Sequence, residues 1–147
     1  MSSPAIQNVR AARIRSVQEH LDAENQHDLD AIMATFSAHP AFALNGMELA
    51  GADVIRGVYD GFGFGQHGSF SNLNIEVKTW YFGDESITTE MTLRASHTGA
   101  WQGIPATGRA VEVPLCAIFT FDAENKVASE RAYFDAATVL RQIGVLP

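Results

Sequence analysis

The spacing of apolar residues changes midway along the chain. Ile6, Val9, Ile14, Val17 and Leu21 fall near one face at helical spacing and predict a first helix. Leu29, Ile32, Met33 and Phe36 stand at i, i+3, i+4 and i+7 and predict a second, with Asp28 as its N-cap. His39-Pro40 breaks that pattern, and Ala41 to Asn45 read as a short strand. Ile55, Val58, Tyr59 and Phe62 restore the helical period between Gly51 and Gly61 or Gly63. From Ser71 the period becomes two. Leu73, Ile75 and Val77 alternate with polar residues, and Gly83-Asp84-Glu85-Ser86 marks a turn. Ile87, Thr89, Met91, Leu93, Ala95 and His97 share one face of the next strand.

A turn-rich connection follows from Gly103 to Gly108. Val111, Val113, Leu115, Ala117, Phe119 and Phe121 then form another apolar face, and Asp122 to Asn125 turn the chain into a strand from about Lys126 to Phe134. Val139, Leu140 and Ile143 predict a short last helix stopped by Gly144. Helices followed by a run of mostly antiparallel strands predict an α+β fold with the helices on one face of the sheet. A strongly curved sheet covered in this way makes a cone-shaped barrel with a cavity.

Composition adds a class and a set of exclusions. The 147 residues are 46% hydrophobic and 18% charged, which predicts one globular domain over residues 1–147. The net charge is −7 and the ten basic residues are scattered, so neither nucleic acid nor an anionic membrane is an expected partner. No apolar run is long enough to cross a bilayer. The single cysteine, Cys116, and the absence of a charged-then-apolar leader pattern fit a cytoplasmic protein.

The five histidines, at 20, 27, 39, 67 and 97, have no His-Glu-x-x-His arrangement, and no Cys-x-x-Cys, Gly-x-Ser-x-Gly or P-loop motif is present. The expectation is therefore no metal and no cofactor. His97, on the apolar side of its strand, points into the expected cavity, where it donates to a developing enolate or is satisfied by a backbone carbonyl. Arg131, Tyr133 and Asp135 share strand parity. Tyr133 then meets a substrate oxygen, and Arg131 an anionic group or a structural carboxylate. Asn45, Tyr59 and Phe62 are further substrate-binding candidates, and Trp101 is a cover for the mouth. Glu90 and Arg94 face away from His97, as an outer charge pair or a contact between subunits. Asp135 precedes the last helix and can be its N-cap.

The stretch His97-Thr-Gly-Ala-Trp-Gln-Gly-Ile-Pro-Ala-Thr-Gly-Arg109, with Ile118-Phe-Thr-Phe-Asp, Tyr133-Phe-Asp135 and Leu140-Arg-Gln-Ile-Gly144, resembles the SnoaL-like polyketide cyclases. The resemblance implies the nuclear transport factor 2-like cone fold shared with ketosteroid isomerase, and a homodimer. It also implies that Asp135 is the acid/base carboxylate, its pKa raised in an apolar cleft. The function it implies is cofactor-independent proton transfer on a small hydrophobic carbonyl compound. Aldol-type cyclisation is the sharpest form, and isomerisation, dehydration or epoxide hydrolysis are neighbouring chemistries. The alternative is a non-catalytic ligand-binding or interaction domain of the same fold.

Overall fold

The computed structural model describes residues 3–147. Helix α1 spans Pro4–Asn25, with Pro4 in its first turn and the Ser3 side chain accepting from the Ile6 amide at 3.3 Å. Both features suit a helix start, where amides lack partners inside the helix. Helix α2, Leu29–Ala34, is capped as expected by Asp28, whose Oδ1 accepts from the Ala31 amide at 3.0 Å.

Two expectations in this region need correction. Phe36 does not extend α2 but opens strand β1, Phe36–Leu44, because the Thr35 carbonyl is drawn into a bond from the Val127 amide at 3.0 Å. His39-Pro40 does not end an element. It lies inside β1, where the ladder shifts register between Phe36 and Ala41, and Pro40 has no amide to give. Strand β2, Met47–Ala50, was not expected at all. It pairs back on β1 through a turn at Asn45 and Gly46, both at positive φ (47° and 85°), the hairpin chemistry of an Asn-Gly pair.

Helix α3 runs Ala52–Phe62. Strands β3 (Phe70–Phe82), β4 (Ser86–His97), β5 (Ala110–Phe121) and β6 (Val127–Phe134) follow, and α4 (Ala136–Gln142) closes the order. The sheet order is β2-β1-β6-β5-β4-β3. Every neighbouring pair is antiparallel except β1 with β6. The architecture is α+β, as expected, with a curved sheet that stays open at β2 and β3 rather than closing into a barrel.

The alternation along β4 and β5 decides where the core lies. Ile87, Met91, Leu93, Val111, Val113, Ala117 and Phe119 are buried on the inner face under the helices. Each large side chain of this kind contributes about 1.5–3 kcal/mol relative to exposure. On the outer face Arg94 reaches Glu76 at 2.8 Å and Glu112 at 3.4 Å across three strands, and these exposed pairs add little stability. No helix among the described residues is long and apolar enough to cross a membrane.

Candidate active site

Helix α1 packs its stripe of Val17, His20, Leu21 and Glu24 onto the sheet, at the i, i+3, i+4, i+7 spacing of one helical face. Two of these four residues are polar, and both are buried. His20 is fully enclosed, with the rings of Phe36, Phe119 and Tyr59 standing edge-on at 5.2, 5.5 and 5.9 Å. Its Nδ1 donates to Thr35 Oγ1 at 2.8 Å, because that hydroxyl already donates to the Ile32 carbonyl at 2.7 Å. Its Nε2 lies 2.8 Å from Glu24 Oε1, 3.4 Å from Glu130 Oε2 and 3.1 Å from the Tyr59 hydroxyl. Tyr59, from α3, donates to Glu130 Oε2 through a short hydrogen bond.

These groups tune one another. Burial opposes charge on His20, but Glu130 and Glu24 together outweigh it and raise its pKa to about 10. The ring is then an imidazolium at neutral pH, with both nitrogens donating. Burial raises the Glu24 pKa above the ordinary carboxylate value, and the neighbouring His20 draws it back only in part. Burial also raises the Tyr59 pKa, and the nearby Glu130 and Glu24 raise it further, so the phenol keeps its proton.

Glu24, Tyr59 and Glu130 form the polar floor of a cavity of about 50 Å3 between the helices and the inner face. Phe42, Phe62, Phe64, Leu93, Leu115 and Phe134 are among its apolar walls. A buried water needs roughly 10–15 Å3 on this measure, so the space takes about three to five heavy atoms. Polar groups converging on one end of an apolar cavity, one of them a carboxyl of raised pKa, make this the candidate functional site.

His20, Glu24 and Glu130 are also the described residues whose donor atoms could hold a metal, lying within 4.8 Å of one another. The sequence shows no His-Glu-x-x-His spacing, and the fold supplies this set by other means: two residues one helical turn apart and a third from β6. With His20 protonated, the three satisfy one another through protons.

The positions of the residues chosen from sequence are mixed. Tyr59 and Phe62 are where expected, at the floor and wall of the cavity. Asp135 is not. It is exposed at the start of α4, accepting from the Thr138 amide at 3.1 Å and from the Thr138 hydroxyl at 2.6 Å. Those bonds lower its pKa, the reverse of the expected shift, and Arg141 adds to them. Its place is that of an N-cap.

Asn45 and Tyr133 do meet Asp135, but around a shallow hollow on the outer face with Glu90 and Cys116. Asn45 uses Oδ1 to accept from the Phe134 amide at 2.9 Å. Arg131 turns outward to Glu48 at 3.1 Å, the structural-carboxylate alternative. The physical reason is parity: Glu130, Ala132 and Phe134 face inward on β6, so 131, 133 and 135 face out.

His97 faces inward and is fully buried, but it does not line the cavity. Its Nδ1 accepts from the Thr107 hydroxyl at 2.9 Å and the Thr107 amide at 3.3 Å, which leaves the Nε2 proton without a partner beside Phe70. Trp101 packs against Phe70 and Phe134, their ring centres 5.5 and 6.4 Å away, and so backs a wall of the cavity rather than covering its mouth.

Sequence reasoning missed His20, Glu24 and Glu130. A signal was present for each: two polar residues on the apolar stripe of α1, and a glutamate alternating with Ala132 and Phe134.

Comparison with known proteins adds the family. The SnoaL-like polyketide cyclase family model matches residues 14–143. A comparison with curated proteins gives no match. Among solved structures, the hydroxylase candidate AclR from Streptomyces galilaeus is 25% identical with a TM-score of 0.78, over 93% of this chain and 87% of its own. A SnoaL-like polyketide cyclase candidate from Jannaschia sp. CCS1 is 19% identical with a TM-score of 0.82, over 100% and 99%. An epoxide hydrolase of the LEH-like kind from M. tuberculosis is 16% identical with a TM-score of 0.69, over 90% of each chain. The fold is the ketosteroid isomerase-like, nuclear transport factor 2-like one. With a family model matching residues 14–143 of its 147, the chain belongs to the SnoaL-like polyketide cyclase family.

Proposed function

We propose that the protein is a cofactor-independent enzyme that moves a proton on the carbon beside a carbonyl group of a small molecule. The observation that carries this reading is Glu24, a buried carboxyl of raised pKa whose side chain lines an apolar cavity next to a charged imidazole. Such a group removes a proton from an acidic carbon and returns it elsewhere.

In this reading the reacting end of the substrate enters between Phe62, Phe64 and Phe134. Glu24 takes the carbon-bound proton. The Tyr59 hydroxyl swings from Glu130 to the enolate oxygen, and the His20 imidazolium offsets the negative charge that develops. Thr35 holds the His20 ring in place, and Glu130 holds Tyr59 protonated and in reach.

Isomerisation or enolisation at one end of a substrate fits about 50 Å3 without rearrangement. Aldol closure of a polyketide-like chain, the family's sharper chemistry, requires the three phenylalanines to move apart. The test is deuterium incorporation from D2O into acetylacetone and larger neutral diketones, followed by NMR. Exchange well above the buffer rate is expected for the wild type and not for Glu24→Gln. Equal exchange by both proteins would remove Glu24 from the role.

A further inference from the structure

The cavity walls and the charge at its floor restrict which molecules can enter. Five aromatic rings line it, and they form one continuous arc. Phe42 lies 5.6 Å from Tyr59, Tyr59 lies 5.5 Å from Phe64, Phe64 lies 6.0 Å from Phe62, and Phe62 lies 6.0 Å from Phe134. Among the described residues no lysine or arginine lines the space. The His20 cation behind the floor has both ring nitrogens engaged, by Thr35 on one side and by the glutamates and Tyr59 on the other. An anion entering here meets two buried carboxyl groups and no free counter-charge.

A cation meets the opposite situation. Two glutamates, Glu24 and Glu130, line the floor against the single His20 ring. The contacts from His20 and Tyr59 fall on Oε1 of Glu24 and Oε2 of Glu130, and an ionised carboxylate has about four acceptor sites. The two carboxylates therefore keep acceptor capacity beyond those contacts. Aromatic faces attract cations within about 6 Å of their centres, most strongly where water is excluded. The volume takes about three to five heavy atoms, which is the size of a trimethylammonium head.

We infer that the cavity is a binding site for a small organic ammonium group, held by the arc of Phe42, Tyr59, Phe64, Phe62 and Phe134 over the Glu24 and Glu130 carboxylates. This rests on the cavity being the ligand site of the proposed function, and names the chemical class of what it takes: an amine-bearing rather than an acidic or phosphorylated molecule. Three titratable groups line the cavity, Glu24 from α1, Tyr59 from α3 and Glu130 from β6, with His20 from α1 behind them.

The test compares three molecules of one shape by calorimetry on the intact chain: choline, its uncharged analogue 3,3-dimethylbutan-1-ol, and the anion 3,3-dimethylbutanoate. Choline should bind at least about ten-fold tighter than the alcohol, in keeping with a desolvated cation–π and charge contribution, and the anion should not bind. Glu24→Gln should bring the choline-to-alcohol ratio towards one. Phe62→Leu should weaken choline more than the alcohol. It also serves as the second variant if Glu24→Gln proves unfolded by circular dichroism. Equal affinity for choline and the alcohol, tighter binding of the anion, or no choline binding overturns the inference. The deuterium-exchange assay reads the proton-transfer proposal separately: exchange of diketones without choline selectivity refutes only the ammonium site, and choline selectivity without exchange refutes only the chemistry.

Discussion

Asn25, the last residue of α1, satisfies both backbone groups of Ile75 on β3. Its Nδ2 donates to the carbonyl at 2.9 Å, and its Oδ1 accepts the amide at 2.7 Å. This pair of hydrogen bonds to one residue fixes the rotation and height of α1 against an edge strand, one position after Glu24. Asn25→Leu leaves both Ile75 groups without these partners and should cost about 1–3 kcal/mol in urea denaturation. Because it also loosens Glu24, activity should fall by more than the fraction of unfolded protein explains.

Glu24 and Asp135 should behave oppositely when altered. Glu24→Gln removes the proton acceptor and should slow turnover by about a hundred- to ten-thousand-fold. Asp135→Ala removes the cap from α4 and should lower the melting temperature by a few degrees while leaving the rate per folded molecule unchanged. A large rate loss in Asp135→Asn with unchanged melting would restore the acid/base role to that residue.

The buried charges set a pH trend. The His20 pKa rises from 6.5 to about 10 on folding, so its contribution to stability is full below pH 6.5 and is lost as pH climbs through about 10. Glu24 acts in the same sense, because a carboxyl of raised pKa holds its proton more tightly folded than unfolded. The urea midpoint should fall between pH 7 and pH 9.5, and this fall should shrink in His20→Gln. A midpoint rising over that range contradicts the charge assignment. His20→Leu leaves two buried carboxylates with no cation and should cost about 3–5 kcal/mol.

Two glycines offer a contrast that needs no substrate. At Gly63 a Cβ would sit 1.9 Å from the Phe70 carbonyl oxygen, and the backbone has φ +131°, so Gly63→Ala should disrupt the loop that carries Phe64 into the cavity. Gly57, on the exposed side of α3, has nothing within 4 Å of that position. Gly57→Ala should stabilise by about 0.5–1 kcal/mol with activity intact. Thermal melts of the two variants side by side check both statements.

The elements legible in the sequence are those whose burial follows a clean period. Strands β4 and β5, with Ile87 to His97 and Val111 to Phe121 alternating, read directly, as does the apolar face of α3 that delivers Tyr59 and Phe62 to the site. Strand β2 is hard to read because Met47–Ala50 is an exposed edge of four residues, too short for its Met47-Glu48-Leu49 alternation to stand out, although Asn45-Gly46 marks its turn. Phe36 was drawn into a helix because its spacing from Leu29, Ile32 and Met33 is helical, while a tertiary bond at Thr35 decides otherwise.

The catalytic candidates were harder because burial of charge breaks the usual correspondence between polarity and exposure. His20 and Glu24 interrupt the hydrophobic stripe that identified α1. They are tolerated inside only because Glu130, more than a hundred residues away in sequence, comes to meet them, and no local pattern reports that encounter. Asp135 misled for the converse reason: a helix cap and a catalytic carboxylate are the same residue type at a strand end, and only the direction of the side chain separates them.

The one parallel pairing in the sheet, between β1 and β6, has a consequence for how the molecule is made. During synthesis the helices and β1 emerge long before Val127–Phe134, and β1 can find only β2 as a partner until then. Local hairpins such as β3 with β4 and β4 with β5 can close early, whereas this distant pairing waits for nearly the whole chain. Glu130 arrives with it. The nascent protein therefore carries His20 and Glu24 without their third partner, and the acid–base cluster assembles only when the last strand locks the sheet. Ribosome-bound chains ending before β6 should engage chaperones, and the buried His20–Glu24–Glu130 cluster should be the last part of the molecule to appear.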